Sequence, residues 1–589
     1  MKNYKKRTET AILLTSGAVL VALFVCTITM RWTMTDQTPF IMDELVDMQI
    51  GVQFARGVQL YGTQPLERTP LMTILVGLFT DSSEGSFVTA VSGRRLMWVA
   101  MILIALGTYL IAYNVLGARI APMALVLLFS FSSFLDRSFR IRADVISTLM
   151  SLPALFLVTA SVLTPLRLAF AGLFLGMALL TTQKALYFVI AFAVALIGRH
   201  IRRYGFRLFM LKRILVDGLI SAGGFLVPVG AIVAWAKLND CLEEFVQQCF
   251  FWALDVGFAT DVYASAIKYL WQSLERNPVF WLLAMIGIIA LLLESMRRVA
   301  PPEKETSNSA DTIAPSIALG LWSLTLVLLY WQHKTKFPYI FVNVAPCLAI
   351  CGALPLGRLW LGALLPPRFP DWKHITLLAG FIFFFVYSPY LHHERNLKEG
   401  RIGRQADVMN RVDKITDPED NVFDGTGVIV CRGKATPYSI TSRWVMERRA
   451  GAKYNVIDWL RKSEPKVMLK SYRIKRLSSK ERRFVDSRFV KDWDIVYAVG
   501  SSVSHKGKTP TAKNVELLAT TDYAIIANDR KNVRIDGKTP AEIERLSAGY
   551  HRIVVEGKAQ KVVIKYARAH KTPRPRTINK SRFFPSYAQ

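Results

Sequence analysis

Cysteine is scarce and scattered in this chain. Its six residues, Cys26, Cys241, Cys249, Cys347, Cys351 and Cys431, form no C-x-x-C pair and no Cys/His cluster with metal-ligand spacing, which excludes a cysteine-based metal site. Cys26, Cys347 and Cys351 lie in apolar runs, where cysteine behaves as a small buried hydrophobe; Cys241 and Cys249 share one loop and are the only candidate pair. Acid is short as well, with 44 Asp and Glu against 74 Lys and Arg. Ionisable groups are nearly absent from the middle of the apolar runs, and there are no internal repeats. Transport pathways place such groups near the bilayer midplane on broken helices, so both absences weigh against a transporter. No small-residue cleavage site follows the apolar run after MKNYKKR, and we read that run as an uncleaved first span.

Apolar residues, by contrast, are abundant. They make up 52% of the 589 residues, with a mean hydropathy of +0.28. Several windows exceed the ~20 apolar residues that a bilayer-crossing helix needs. The chain therefore reads as a polytopic α-helical membrane protein of about eleven spans: 11–30, 96–115, 119–134, 144–163, 166–182, 185–198, 214–236, 279–296, 315–332, 337–356 and 374–391. Lys2, Lys5, Lys6 and Arg7 place the N-terminus in the cytoplasm. The basic run 198–213 and the Arg297-Arg298 pair then fall inside too. An odd count puts everything after 392 outside a plasma (inner) membrane.

The segment beyond 392 loses its hydropathy and carries 42 Lys and Arg against 22 Asp and Glu. That excess suits contact with anionic lipid head groups or lipid phosphates; a chain with ten or more spans makes nucleic acid a poor partner. We expect a transmembrane domain over 1–391, an α/β domain over 392–500, a small β-sandwich over 501–570 and a basic, disordered tail over 571–589. The sandwich rests on the runs DYAIIAN, NVRIDGK, HRIVVEG and KVVIKYA, which alternate with period two and are broken by Asp-Gly and Glu-Gly.

The stretch from Thr35 to Pro70 organises the rest. It leaves the first span carrying Asp43 and Glu44, and ends on Glu67-Arg68-Thr69-Pro70. Ionisable clusters at a membrane boundary are functional-site candidates by default. Charged residues also gather at the outer ends of other spans: Arg140, Arg142 and Asp144, then Lys184, then His333, Lys334 and Lys336. Transfer of a sugar from a lipid-borne phosphate needs a carboxylate to accept the acceptor's proton, cations to meet the leaving phosphate, and a groove for the lipid. Asp43 and Glu44 supply the first need. Arg68, Lys184, His333, Lys334 and Lys336 are candidates for the second, with Arg140 and Arg142 beside them and Glu67 and Tyr61 in the same outer loop.

These elements resemble the GT-C class of integral-membrane glycosyltransferases, in particular the bacterial protein O-mannosyltransferases and the lipid A aminoarabinose transferases. Five features carry the likeness: the Asp43-Glu44 pair after one span, Glu67-Arg68-Thr69-Pro70-Leu71, Asp144 at the head of the fourth span, Thr181-x-x-Lys184, and the turn from His333 to Tyr339. Arg68 and Thr69 depart from the lysine and second proline often found there. The resemblance spans about 11–390 and implies a polyprenyl-phosphate sugar donor, an envelope lipid, glycan or protein as acceptor, and Asp43, Glu44 and Asp144 as the catalytic carboxylates. It leaves a divalent cation open, and the residues alone indicate no metal. The stretch VRIDGKTPAEIERLSAGYHRIVVEG is similar to PEGA domains.

Duller readings stand beside these. Asp43 caps its helix, Asp144 is an N-cap, Arg68 and Lys184 snorkel to the interface, and His333 is a structural partner. Two other classes of function also compete: a lipid-phosphate ligase or phosphotransferase, and a transporter or scaffold with a carbohydrate-binding tail.

Overall fold

The computed structural model describes residues 21–22, 24–206, 208–252, 267–297, 307–333, 337–364, 402–449, 451, 453–507, 509–575 and 583–584, with single positions between 380 and 394. Lys334 and Lys336 lie outside the described residues, as do half of the run 11–30 and most of 374–391 and 571–589.

Among the described residues, six helices are long and apolar enough to cross a bilayer: Ser86–Leu116, Gln183–Tyr204, Leu208–Leu238, Pro278–Ser295, Ala314–Gln332 and Pro338–Trp360. Three shorter apolar helices, Ala121–Ser130, Ala143–Val158 and Pro165–Leu179, accompany them. The chain is thus a multi-pass membrane protein, and a count of eleven rests in addition on the runs 11–30 and 374–391. Burial sorts the helices. Pro338–Trp360 is 94% buried and forms the centre of the bundle, whereas Leu208–Leu238 is 17% buried and turns most of its apolar surface outward. Glycines set the crossings, because lipid offers no hydrophobic drive and close backbone packing must hold the helices together. A Cβ on Gly287 would come within 1.9 Å of the Cys351 carbonyl oxygen, and one on Gly224 within 1.9 Å of the Ala169 carbonyl oxygen.

After helix Gly403–Ile415 the segment turns to strands: β1 (Asn421–Phe423), β2 (Gly433–Lys434), β3 (Val467–Leu469), β4 (Phe489–Trp493), β5 (Val496–His505), β6 (Thr511–Leu517), β7 (Thr521–Ile526), β8 (Val533–Ile535), β9 (Ile543–Leu546), β10 (Gly549–Val555) and β11 (Gln560–Tyr566). The four alternating runs are the strands β7, β8, β10 and β11. The Asp-Gly break puts Asp536 and Gly537 at φ 49° and 84°, values a tight turn needs and glycine supplies without strain. One sheet runs β2-β1-β3-β5-β11-β7-β9 with β4 also on β5, and a second runs β6-β10-β8. Strand β5 crosses the division expected at 500. Its Ala498 pairs with Val467 of β3 and its Val503 with Val562 of β11, so the α/β and β-rich stretches share one sheet.

This segment docks on the membrane domain through paired polar groups. The Phe40 amide donates to Gln405 Oε1 at 2.7 Å, and Gln405 Nε2 donates back to the Phe40 carbonyl at 2.9 Å. Asp413 accepts from both the amide and hydroxyl of Ser86, at 2.6 and 2.9 Å. Burial pushes the Asp413 carboxyl above its ordinary value, against those two hydrogen bonds and Arg432. Gly427 sits at φ 71°, and a Cβ there would meet the Val46 Cα at 2.9 Å; only glycine allows this approach.

Candidate active site

Helix Met42–Ala55 follows the first span and presents three faces. Side chains four apart share a helix face, while neighbours lie about 100° apart. Asp43, Asp47 and Ile50 form one face, and all three line a cavity of about 330 Å³. Glu44 and Met48 point elsewhere, against helix Ser86–Leu116, where a Cβ on Gly93 would strike the Met48 sulfur. Gln49, Gln53 and Arg56 hold the C-terminal segment: their side chains donate to the carbonyls of Ile429, Arg432 and Cys431 at 3.1, 3.0 and 2.8 Å.

The cavity wall on the membrane side is a set of ion pairs. Arg142 Nη1 lies 2.5 Å from Asp43 Oδ2, and its other nitrogen 3.9 Å from Asp144. Lys184 Nζ lies 2.9 Å from Asp144 Oδ1, and Arg68 Nη1 lies 2.9 Å from Asp47 Oδ2. Tyr339 supports both neighbouring cations, its ring centre 3.7 Å from the Arg142 guanidinium and 4.6 Å from Lys184 Nζ. Burial pushes the Asp47 carboxyl up to about 6, even though Arg68 and Arg142 pull it down. Asp43 keeps 28% of its side chain exposed. A partly open carboxylate held by a cation is a group an acceptor hydroxyl can reach.

Arg68 owes its position to the turn before it. Tyr61 takes φ 67° and donates its hydroxyl to the Arg68 carbonyl at 2.9 Å. Gln248 clamps the same loop, accepting from the Leu66 amide and donating to the Tyr61 carbonyl, each at 2.9 Å. Thr69 Oγ1 ties the loop end to the Leu179 carbonyl at 2.7 Å. Cys249 is a free thiol beside Tyr61, and Cys241 is free as well; the candidate pair is not a disulfide.

The fold gathers Asp43, Asp144, Arg68, Lys184, Glu67 and Arg142 on this cavity. It does not bring Glu44, Arg140, Tyr61 or His333 there. Glu44 is sealed: Arg94 donates to both its oxygens at 2.7 and 2.8 Å, Arg140 to one at 2.9 Å, and the Ile41 amide at 3.0 Å. Burial raises its carboxyl, but Arg94, Arg140 and the Ile41 amide outweigh that and hold it at about 2. Glu44, and not Asp43, therefore satisfies the start of the helix. Arg140 is spent on Glu44, Tyr61 on the loop, and His333 Nδ1 on the Tyr187 hydroxyl at 2.9 Å. Asp144 is no N-cap either, since Arg142 holds that position. Asp43, Glu44 and Asp144 do not converge as a set of metal ligands: Glu44 faces away, and Arg142 lies between the other two. Among the described residues no group of three His, Cys, Asp or Glu is placed to hold a metal ion.

Sequence reasoning missed Asp47 and Lys434, and it assigned no role to Tyr339. Asp47 had a signal, its i+4 spacing from Asp43. Lys434, Tyr438, Trp444 and Arg473 line the cavity from the C-terminal segment, and no local pattern marks them. Burial pushes the Lys434 ammonium down to about 8, against the pull of Asp424 and Asp47.

No family model and no curated protein matches the chain. Among solved structures, ArnT from Cupriavidus metallidurans bound to undecaprenyl phosphate superposes with a TM-score of 0.54, covering 81% of this chain and 97% of that one at 14% identity. The same protein in the apo state gives 0.53, with 82% and 98% covered at 12% identity. Arabinosyltransferase EmbB from Mycobacterium smegmatis reaches 0.35, too low to bear on the fold. The chain has the ArnT fold, which is the GT-C architecture expected from the sequence.

Proposed function

We propose that this chain is a membrane glycosyltransferase that moves a sugar from a polyprenyl-phosphate donor to an envelope lipid, glycan or protein. One observation carries the reading: Asp43 and Asp47 share a cavity wall with Arg68, Arg142 and Lys184, at the head of the apolar helices Ala143–Val158 and Gln183–Tyr204. The solved ArnT structure of the same fold holds undecaprenyl phosphate, which supports a donor of that class.

In this reading Asp43 takes the proton of the acceptor hydroxyl as its oxygen bonds to the anomeric carbon. The bond from that carbon to the phosphate oxygen breaks, and polyprenyl phosphate leaves with the electron pair. Arg68 and Lys184 meet the charge that develops on the phosphate, where fixed cations in a dry site count most. Asp144 aims Lys184, and Arg142 holds Asp43. Asp43 is the partly open carboxylate, while Asp47 and Asp144 are buried in ion pairs with Arg68 and Lys184; one available base favours inversion by direct displacement.

The test is Asp43→Asn in the purified full chain, supplied with a polyprenyl-phosphate sugar and an envelope extract as acceptor. Release of polyprenyl phosphate should fall about 10²–10⁴-fold while the protein stays folded and inserted. A near-normal rate removes the base from this account. The orientation, with site and C-terminal segment on the extracytoplasmic face, predicts that a reporter after Thr416 reads outside and one after Gly205 reads inside.

A further inference from the structure

The cavity has two walls with different ionic character. On the membrane side Arg68, Arg142 and Lys184 each sit in an ion pair. On the C-terminal side Lys434 and Arg473 line the same cavity, and among the described residues neither forms an ion pair. Lys434 Nζ makes one long contact, 3.4 Å to Ser439 Oγ. The Arg473 Nε donates to the hydroxyl of its neighbour Tyr472 at 3.0 Å. Glu67 and Glu447 also line the cavity, and each accepts from a hydroxyl, that of Thr441 and that of Tyr454.

Both cations are held in place. Lys434 ends strand β2, whose backbone pairs in parallel with β1 at Val422. The carbonyls just before it are fastened to Gln53 and Arg56. Arg473 follows Tyr472, whose hydroxyl touches the Met42 sulfur at 3.4 Å. Both side chains are half-buried and, among the described residues, outside any ion pair, and two cations fixed on one wall of a cavity make a ready anion site.

Resting on the glycosyltransferase reading, we propose that Lys434 and Arg473 bind an anionic group of the acceptor, a phosphate or a carboxylate. The C-terminal segment is then the acceptor wall of the site, and the membrane wall is the donor wall. The acceptor class narrows to molecules carrying negative charge close to the hydroxyl that is glycosylated.

Inorganic phosphate titrated into the full chain, already saturated with undecaprenyl phosphate, reads this second site alone. Wild type should bind it. Lys434→Ala and Arg473→Ala should each weaken that binding about tenfold, as loss of a charged hydrogen bond does, while Lys434→Arg should retain most of it. Undecaprenyl phosphate affinity should stay unchanged in all three, which also shows that they fold. Absence of phosphate binding in the wild type, or binding unaltered by both alanine variants, overturns the proposal. Equal loss of undecaprenyl phosphate affinity also overturns it, because the cations then serve the donor. Should wild type ignore undecaprenyl phosphate yet bind phosphate through Lys434 and Arg473, the donor reading falls and the anion site stands.

Discussion

Helix Met42–Ala55 separates two ionic clusters of similar composition. Behind it, Glu44 is locked to Arg94 and Arg140, and the side chains of Glu44 and Arg94 have no exposure at all. In front, Asp43, Asp47 and Asp144 meet Arg142, Arg68 and Lys184 around a cavity, and several of these side chains stay partly open. The rear cluster satisfies every oxygen of Glu44 and leaves nothing for a ligand. The front cluster leaves Asp43, Arg68 and Lys184 partly exposed on the cavity, where an incoming phosphate or hydroxyl can reach them. Richness in charge therefore does not distinguish a site from a structural clasp; side-chain exposure to a cavity does.

The largest effect expected from this contrast is on stability. Glu44→Gln strands Arg94 in a buried position, and removing one partner of a buried pair costs about 3–5 kcal/mol. Thermal unfolding in detergent should show it, with no matching loss for Asp43→Asn. Equal destabilisation by the two variants would erase the distinction between clusters. Next in size is Arg68→Ala. It removes a charge aimed at the leaving phosphate, worth about 2.7–4 kcal/mol of barrier, so turnover should fall some hundredfold or more. Arg68→Lys keeps the charge, loses the bidentate geometry, and should fall less. Full turnover in Arg68→Ala would make that residue an interfacial anchor.

The smallest effect is a pair of opposite pH dependences on one helix. Glu44 is held at about 2, below its ordinary 4.5. Its contribution is present above 4.5 and is lost as pH falls through about 2. Asp47 is raised from 3.8 to about 6, so its contribution is present below 3.8 and is lost as pH rises through about 6. Melting temperatures measured across pH 2–7 should therefore show Asp47→Asn flattening the decline between pH 4 and 6. The acid-side loss should persist in that variant and vanish in Glu44→Gln. Identical pH profiles in both variants would mean that the two carboxylates share one environment.

Much of this was legible in the chain itself. Among the described residues the apolar runs between 96 and 356 fall on helices, the first of which begins earlier, at Ser86, while the run 119–134 is broken at Phe131; a run of about 20 apolar residues has few alternatives in a bilayer. The runs around Asp536-Gly537 and Glu556-Gly557 became antiparallel strands, because period-two alternation and a glycine turn select them locally. Asp43, Arg68, Asp144 and Lys184, from four of the five ordered motifs, line one cavity. Asp47 is equally readable by spacing, four residues after Asp43 on the same helix face, although it lies outside the adjacent acidic pair.

Other features were beyond any local pattern. Which member of the Asp43-Glu44 pair faces the cavity depends on Arg94 and Arg140, residues 50 and 96 positions further along. His333 reads as a cation for phosphate until Tyr187, 146 positions away, takes its Nδ1. The break at residue 500 looked natural by composition, yet β5 crosses it because both its halves find strand partners. Composition and periodicity act over one or two turns, so the sequence alone determined that the chain is a multi-pass helical membrane protein, where its β-rich strands lie, and the helix that bears the acids. Ion pairs and sheet pairings join residues far apart in the chain, so only the tertiary structure decided which carboxylate is sealed, which is exposed to the cavity, and that Lys434 and Arg473 close its far side.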